Sequence, residues 1–151
     1  MATTRFLIAT HGKLAIGFQS AINLLVGDNL QIDTITAFID EDINARETID
    51  NYMCTISDDE LLVVMTDLMA GSVNQMFLPY VKQRNNVKLV TGINLPLTLE
   101  IVLTPQEKLT DEFFETAING AKNEIKFVNP MIHDYLESDR NTESNNNSLF
   151  D

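Results

Sequence analysis

One of only two histidines in the 151-residue chain, His11, stands where the apolar run "FLIAT" gives way to "HGKLAIGF" and helical spacing begins. A histidine without a task sits as easily on a helix face, so a place at this junction asks what chemistry the junction serves. Small and polar residues gather at comparable points elsewhere. Gly12 follows the histidine, Asp40, Glu41 and Asp42 follow a second apolar run, "TDLMAGS" (Thr66 to Ser72) closes a third, and "TGINLP" (Thr91 to Pro96) a fourth.

If Asp67 reaches His11, its carboxylate accepts the proton of one ring nitrogen and leaves the other as a free lone pair, which fixes the tautomer and the ring orientation. Such an imidazole serves as a general base, as a metal ligand, or as a nucleophile that takes a group covalently. A metal centre asks for further His, Cys or carboxylate ligands at the neighbouring strand ends, and only the acidic trio at 40–42 is there, so neither a metal nor a cofactor is expected. Acyl transfer asks for a nucleophile on a strained elbow, and no G-x-S-x-G pattern occurs. Phosphoryl transfer fits the remaining features. Gly12 opening one helix, and Gly71 and Ser72 opening another, aim N–H donors at one small volume, an anion cradle for the equatorial oxygens of a transferring phosphoryl group, with Thr66 or Ser72 adding a hydroxyl. Each residue also has a plainer use. His11 is satisfied by a backbone carbonyl in many loops, Asp67 serves as a turn cap, Ser72 as a helix N-cap, and the acidic trio as a solvated loop before the next helix. His133 reads as surface or packing.

The elements that would position these residues alternate. Strand-like runs occupy Arg5 to Thr10, Gln31 to Phe38, Glu60 to Thr66 and Val87 to Thr91. Helical patterns lie between them. Lys13 to Val26 carries Leu14, Phe18, Ile22 and Leu25 at helical spacing and stops at Gly27; Asn44 to Cys54 has a narrower stripe; a third starts near Ser72, with Pro79 disturbing its middle. Leu97 to Leu103 gives a short fourth and Asp111 to about Asn123 a fifth. This order predicts an α/β fold, a doubly wound and mainly parallel sheet with helices on both faces, whose ligand sites lie at the carboxyl ends of the strands. "NEIKFVNP" alternates Ile125 and Phe127 around Lys126 and reads as an added edge strand, antiparallel and exposed enough to pair with another subunit.

Composition narrows the partners. Twenty-two acidic against 10 basic residues give a net charge of −12, which disfavours nucleic acid and favours basic protein partners. The single Cys54 forms no internal disulfide and reads as core packing in a reducing compartment. Neither a signal peptide nor a membrane-length apolar run is visible, so a cytoplasmic protein without membrane insertion is expected. One domain over 1–136 and a polar, disordered tail over 137–151 complete the expectation.

Three separate stretches, "ATHGKLAIGF", "VVMTDLMAGSVNQ" and "TGINLPLTLE", resemble in order and spacing the enzyme IIA domain of the mannose family of the bacterial sugar phosphotransferase system, from about Arg5 to Asn129. The resemblance implies a protein-histidine phosphotransferase. His11 would accept a phosphoryl group from the small phosphocarrier protein HPr and pass it to an enzyme IIB component, with Asp67 orienting the ring and Ser72 and Thr66 near the phosphoryl group. It also implies a homodimer in which the strand around Glu124 to Val128 joins the neighbour's sheet. Where the family commonly reads Gly-Gly-Ser-Pro before an asparagine, this chain has Ala70, Gly71, Ser72, Val73 and Asn74, which changes loop shape but removes no reacting group. Leu14, Leu68, Met69 and Leu95 are the residues expected to dock the partners. Two other duties share the pattern: a phosphoryl donor subunit for dihydroxyacetone kinase, and a regulatory module whose histidine phosphorylation is a signal.

Overall fold

Four short apolar runs form the strands of one parallel sheet in a computed structural model, which describes residues 3–41 and 43–147. They are β1 (Thr4–His11), β2 (Ile32–Ala37), β3 (Leu61–Thr66) and β4 (Val87–Thr91), in the order β2-β1-β3-β4. Helices α1 (Leu14–Val26), α2 (Ala45–Met53) and α3 (Ser72–Gln83) connect successive strands, and α4 (Leu95–Leu103), α5 (Asp111–Asn123) and α6 (Val128–Asn147) follow β4. β1 feeds β2 on one side and has β3 on its other, so the chain order reverses across the gap between β1 and β3. In open α/β sheets that gap, at the carboxyl ends of the strands, is where ligands bind. Here its two lips are His11 and the residues after Thr66.

The two-residue alternation of β1 distributes the core. Ile8 packs with Val63, Met65, Ile22, Ile101 and Ala117 on the face covered by α1, α4 and α5. Leu7 and Ala9 pack with Leu62, Val64, Ile49, Val73 and Phe77 on the face covered by α2 and α3. His11 continues the Leu7–Ala9 series, so period two alone puts it on the side where α3 begins.

Side-chain caps set the helix starts. Asn44 accepts from the N–H groups of Arg46 (3.0 Å) and Glu47 (3.3 Å), Asn94 from Leu97 (3.0 Å) and Thr110 from Phe113 (3.2 Å). α1 is held differently: its N-cap, Lys13, makes no side-chain cap bond, and the buried Thr10 hydroxyl, from the end of β1, accepts from Ala15 N–H at 2.7 Å. At the opposite edge of the sheet Arg5 pairs with Asp33 (2.8 Å), which also accepts from the Tyr52 hydroxyl (2.7 Å), tying β1, β2 and α2 together.

Several expectations are corrected. The buried stripe of α1 runs through Ala15 and Ile22, flanked by Phe18 and Val26, while Leu14 and Leu25 are exposed, because the apolar pattern is wider than the face the sheet can cover. α3 runs unbroken across Pro79. Cys54 is exposed at the end of α2, since the buried positions there are Ala45, Ile49 and Met53, four residues apart. Among the described residues, 125–127 form no strand and pair with none, Val128 already belongs to α6, and Ile125 and Phe127 stand 77% and 75% exposed. The polar segment from Glu137 is the second half of α6 as far as Asn147, with no Gly or Pro after Pro130 to interrupt the helix; residues 148–151, like Asp42, lie outside the described residues. Among the described residues no helix is long and apolar enough to cross a membrane.

Thr10→Val retains the packing volume but leaves the Ala15 N–H without its acceptor. A loss of about 1–2 kcal/mol in urea unfolding is expected, the scale of a lost helix-start bond.

Candidate functional site

β1 ends in a residue whose main chain and side chain address the same partner. The register pairs Ala9 with Thr66 and His11 with Ala37. Beyond Thr66 the β3 side of the ladder has stopped, and the His11 main-chain N–H donates instead to Asp67 Oδ2 at 3.0 Å. The imidazole meets the same carboxylate, with Nδ1 2.9 Å from Oδ2 and 3.2 Å from Oδ1. Leu68 N–H donates to Oδ1 at 3.0 Å. A carboxylate that receives two main-chain donors is fixed before the ring arrives, and as an acceptor it requires Nδ1 to carry the proton. Nε2 is left with its lone pair and lies 3.1 Å from Ser72 Oγ, whose hydroxyl donates to it. The Asp67 side chain is 12% exposed and the His11 side chain 36%, so the orienting carboxylate is largely shielded while the imidazole remains partly open to solvent.

Burial is the largest influence on Asp67 and pushes its carboxyl up. The hydrogen bonds from the His11 main chain and imidazole, the field of the ring and the local backbone bond outweigh it together and hold the group below the ordinary carboxylate value.

The loop from Leu68 to Gly71 delivers the opposite wall. Ala70 takes φ +58, a left-handed conformation that side chains rarely adopt, and Gly71 N–H closes the turn on the Leu68 carbonyl at 3.2 Å. Gly71 has an extended backbone that any residue accepts. Space is its constraint: a Cβ there would lie 3.0 Å from Leu68 Cβ, 3.1 Å from Leu68 O and 3.3 Å from His11 Cε1. α3 then starts at Ser72 with no side-chain cap. The N–H groups of its first turn have no intrahelical partner by geometry, and the helix starts at Ser72, the residue whose hydroxyl meets Nε2.

His11, Asp67, Gly71 and Ser72 thus come together. Two other expected residues serve different ends. The Gly12 N–H, at φ +57, donates to Ala37 O at 2.8 Å and extends the β1–β2 ladder, so it is not a free donor. Thr66 is fully buried and its hydroxyl is 3.3 Å from Asn74 Oδ1, a link between the end of β3 and the first turn of α3. Ser72 is the first residue of α3, and its hydroxyl faces the imidazole, which corrects the N-cap reading. Leu95 is half-buried against the core, whereas Leu14, Leu68 and Met69 are exposed around the site. Asn74 and Phe38 were not singled out by sequence. Phe38 reads as the last residue of a strand, but it turns at φ +61 and stacks its ring on His11, centroids 5.6 Å apart. Among the described residues no group of three His, Cys, Asp or Glu side chains is assembled for a metal ion.

The family model described as "PTS system fructose IIA component" matches residues 5–118. Among solved structures, a Klebsiella pneumoniae protein described as a candidate permease of the phosphoenolpyruvate-dependent sugar phosphotransferase system is similar at a TM-score of 0.80 and 27% identity, over 87% of this chain and 95% of that one. The phosphotransferase IIA protein associated with the fucose utilization operon of Streptococcus pneumoniae is similar at 0.73 and 25%, over 87% and 99%. The mannose/sorbose-specific IIA subunit of Enterococcus faecalis, at 0.73 and 15% over 85% and 96%, shares the fold. A comparison with curated proteins finds no match.

Two outcomes follow from this geometry. Gly71→Ala is expected to fold with less than about 1 kcal/mol of change but to displace the imidazole, read as altered His11 ring-proton shifts by NMR. Because the folded Asp67 carboxyl lies below its unfolded value of about 3.9, its contribution to stability is present above that pH and lost as pH falls through the folded value. Urea unfolding of Asp67→Asn should therefore show a shallower decline than the parent as pH falls below about 4.

Proposed function

Because the chain belongs to the fructose IIA component family of the sugar phosphotransferase system, a family of phosphocarriers in sugar uptake, we propose that its phosphoryl chemistry runs through His11. The observation that carries this reading is the ring held between two unlike partners, Nδ1 on Asp67 and Nε2 on Ser72. The Nε2 lone pair attacks the phosphorus of the donor, the phosphohistidine of HPr. A new P–N bond forms as the donor's P–N bond breaks, and the donor imidazole leaves with the electron pair. The product ring, protonated at Nδ1 and phosphorylated at Nε2, carries a positive charge that the Asp67 carboxylate balances. The Ser72 hydroxyl turns from Nε2 to a phosphoryl oxygen, and the first-turn N–H groups of α3 meet the charge that builds on the equatorial oxygens. In the second half-reaction a nucleophile of enzyme IIB attacks in line and His11 Nε2 is the leaving group. No ATP, metal or cofactor is needed, because the phosphoramidate keeps the transfer potential.

Each partner must reach one exposed nitrogen and then leave. The exposed Leu14, Leu68 and Met69 give an apolar rim suited to weak, fast complexes, and the net charge of −12 favours partners with basic faces. We also assign the segment 124–127, with Ile125 and Phe127 exposed on either side of Lys126, to a homodimer contact in which it pairs with a second copy.

Incubation with phosphoenolpyruvate, enzyme I and HPr is expected to give one acid-labile phosphoryl group, absent from His11→Ala, that is discharged by enzyme IIB. Labelling that persists in His11→Ala overturns the assignment. Discharge only to a dihydroxyacetone kinase, or to no acceptor, supports the donor-subunit or the signalling reading instead. Asp67→Ala should slow transfer by about 10²- to 10⁴-fold, by comparison with other orienting carboxylates. Phe127→Asp should shift the sedimentation equilibrium from dimer to monomer.

A further inference from the structure

Phe38 is strained, exposed and in contact with the reactive ring, and no step described so far uses it. It follows the last residue of β2, Ala37, which is the register partner of His11 and accepts the Gly12 N–H. Had β2 continued, alternation would have turned Phe38 to the face opposite Ile35 and Ala37. Its φ of +61 bends the backbone instead and lays the ring on the imidazole, with 5.6 Å between centroids and 23° between planes. A left-handed conformation costs a side-chain-bearing residue roughly 1–2 kcal/mol, and Phe38 recovers little of that by burial, since it is 55% exposed. Strain kept at an exposed position beside a reactive group points to use.

We propose that Phe38 is a positioning residue for His11, and that its π face stabilises the positively charged ring of the phosphorylated form. The proposal rests on the reading of His11 as the phosphoryl acceptor. The other contacts leave this role open: Asp67 engages the Nδ1 edge, Ser72 the Nε2 edge, and Gly71 lies close to Cε1, all around the perimeter of the ring. Those contacts set where the nitrogens point within the plane, and Phe38 restrains the tilt of the plane itself. The neutral imidazole gains only stacking from it. Once Nε2 bears phosphorus and Nδ1 its proton, the ring is cationic, and an aromatic face attracts a cation more strongly than a neutral ring. Hydrolysis removes that attraction: water attacks phosphorus, the P–Nε2 bond breaks, Nε2 keeps the electron pair, and neutral His11 and dihydrogen phosphate result. Phe38 therefore favours the loaded state and slows its spontaneous loss.

The test loads the full-length protein with phosphoramidate, which needs no protein partner, so a failure of the HPr assignment and a failure of this proposal are distinguishable. Phe38→Leu keeps apolar bulk and loses the π face; its phosphohistidine is expected to decay about two- to fivefold faster, while Phe38→Tyr restores the parent lifetime. Phe38→Gly, free of strain at this φ, should unfold at the same or a higher urea concentration than the parent and still decay faster, which separates the chemical role from a structural one. In the unphosphorylated protein, His11 ring-proton shifts should move in Phe38→Leu and not in Phe38→Tyr. A Leu or Gly variant that decays at the parent rate, or unchanged His11 shifts in Phe38→Leu, would overturn the proposal.

Discussion

A single carboxylate organises the site. Asp67 receives the His11 main-chain N–H, the His11 imidazole and the Leu68 N–H, so it both finishes the hydrogen bonding of β1 and chooses the tautomer of the ring. Joining these two tasks makes the imidazole's orientation a continuation of the sheet. A flexible histidine at a strand end would have to lose rotamer freedom at each transfer, whereas here that ordering is completed on folding. The Asp67 carboxylate is also the less exposed of the two side chains, so the group that orients the ring is better shielded from water than the ring itself.

The topology supplies the meeting place. The gap between β1 and β3 is where the strand order changes direction, and α3 begins beside it because β3 ends there. The helix start contributes polarity without a charged side chain, and Thr66 and Asn74 join its first turn to the sheet. Crowding constrains the last dimension, since a Cβ at Gly71 would press on both Leu68 and the imidazole and force one of them to shift. On the remaining side Phe38 closes over the ring from the end of β2. The ends of β1, β2 and β3 thus act on one imidazole through short loops.

A good part of this was legible in the chain. The pairing of His11 with Asp67 could be anticipated because both follow apolar runs that must lie in one parallel sheet, and residues at like ends of parallel strands converge whatever their separation in sequence. The alternation of strands and helices, and the helix starts near Asn44 and at Asp111, followed from local preferences that the core reinforces. The misreadings cluster where a local preference met a competing contact. Ser72 has the chemistry of an N-cap, but a hydroxyl beside an imidazole nitrogen has a better partner. Gly12 offered an N–H that the ladder to β2 consumed. Cys54 was assigned to the core by residue type, yet the stripe of α2 passes through Met53 and leaves its neighbour outside.

Residue types and their order determined the fold class and the edge of the sheet at which His11 and Asp67 meet, because hydrophobic period and strand direction are properties of the chain itself. Tertiary structure alone decided which hydroxyl faces Nε2, which N–H groups remain free and that Phe38 turns back onto the ring. Those outcomes depend on competition between partners distant in sequence and on a left-handed backbone that no local preference of phenylalanine favours.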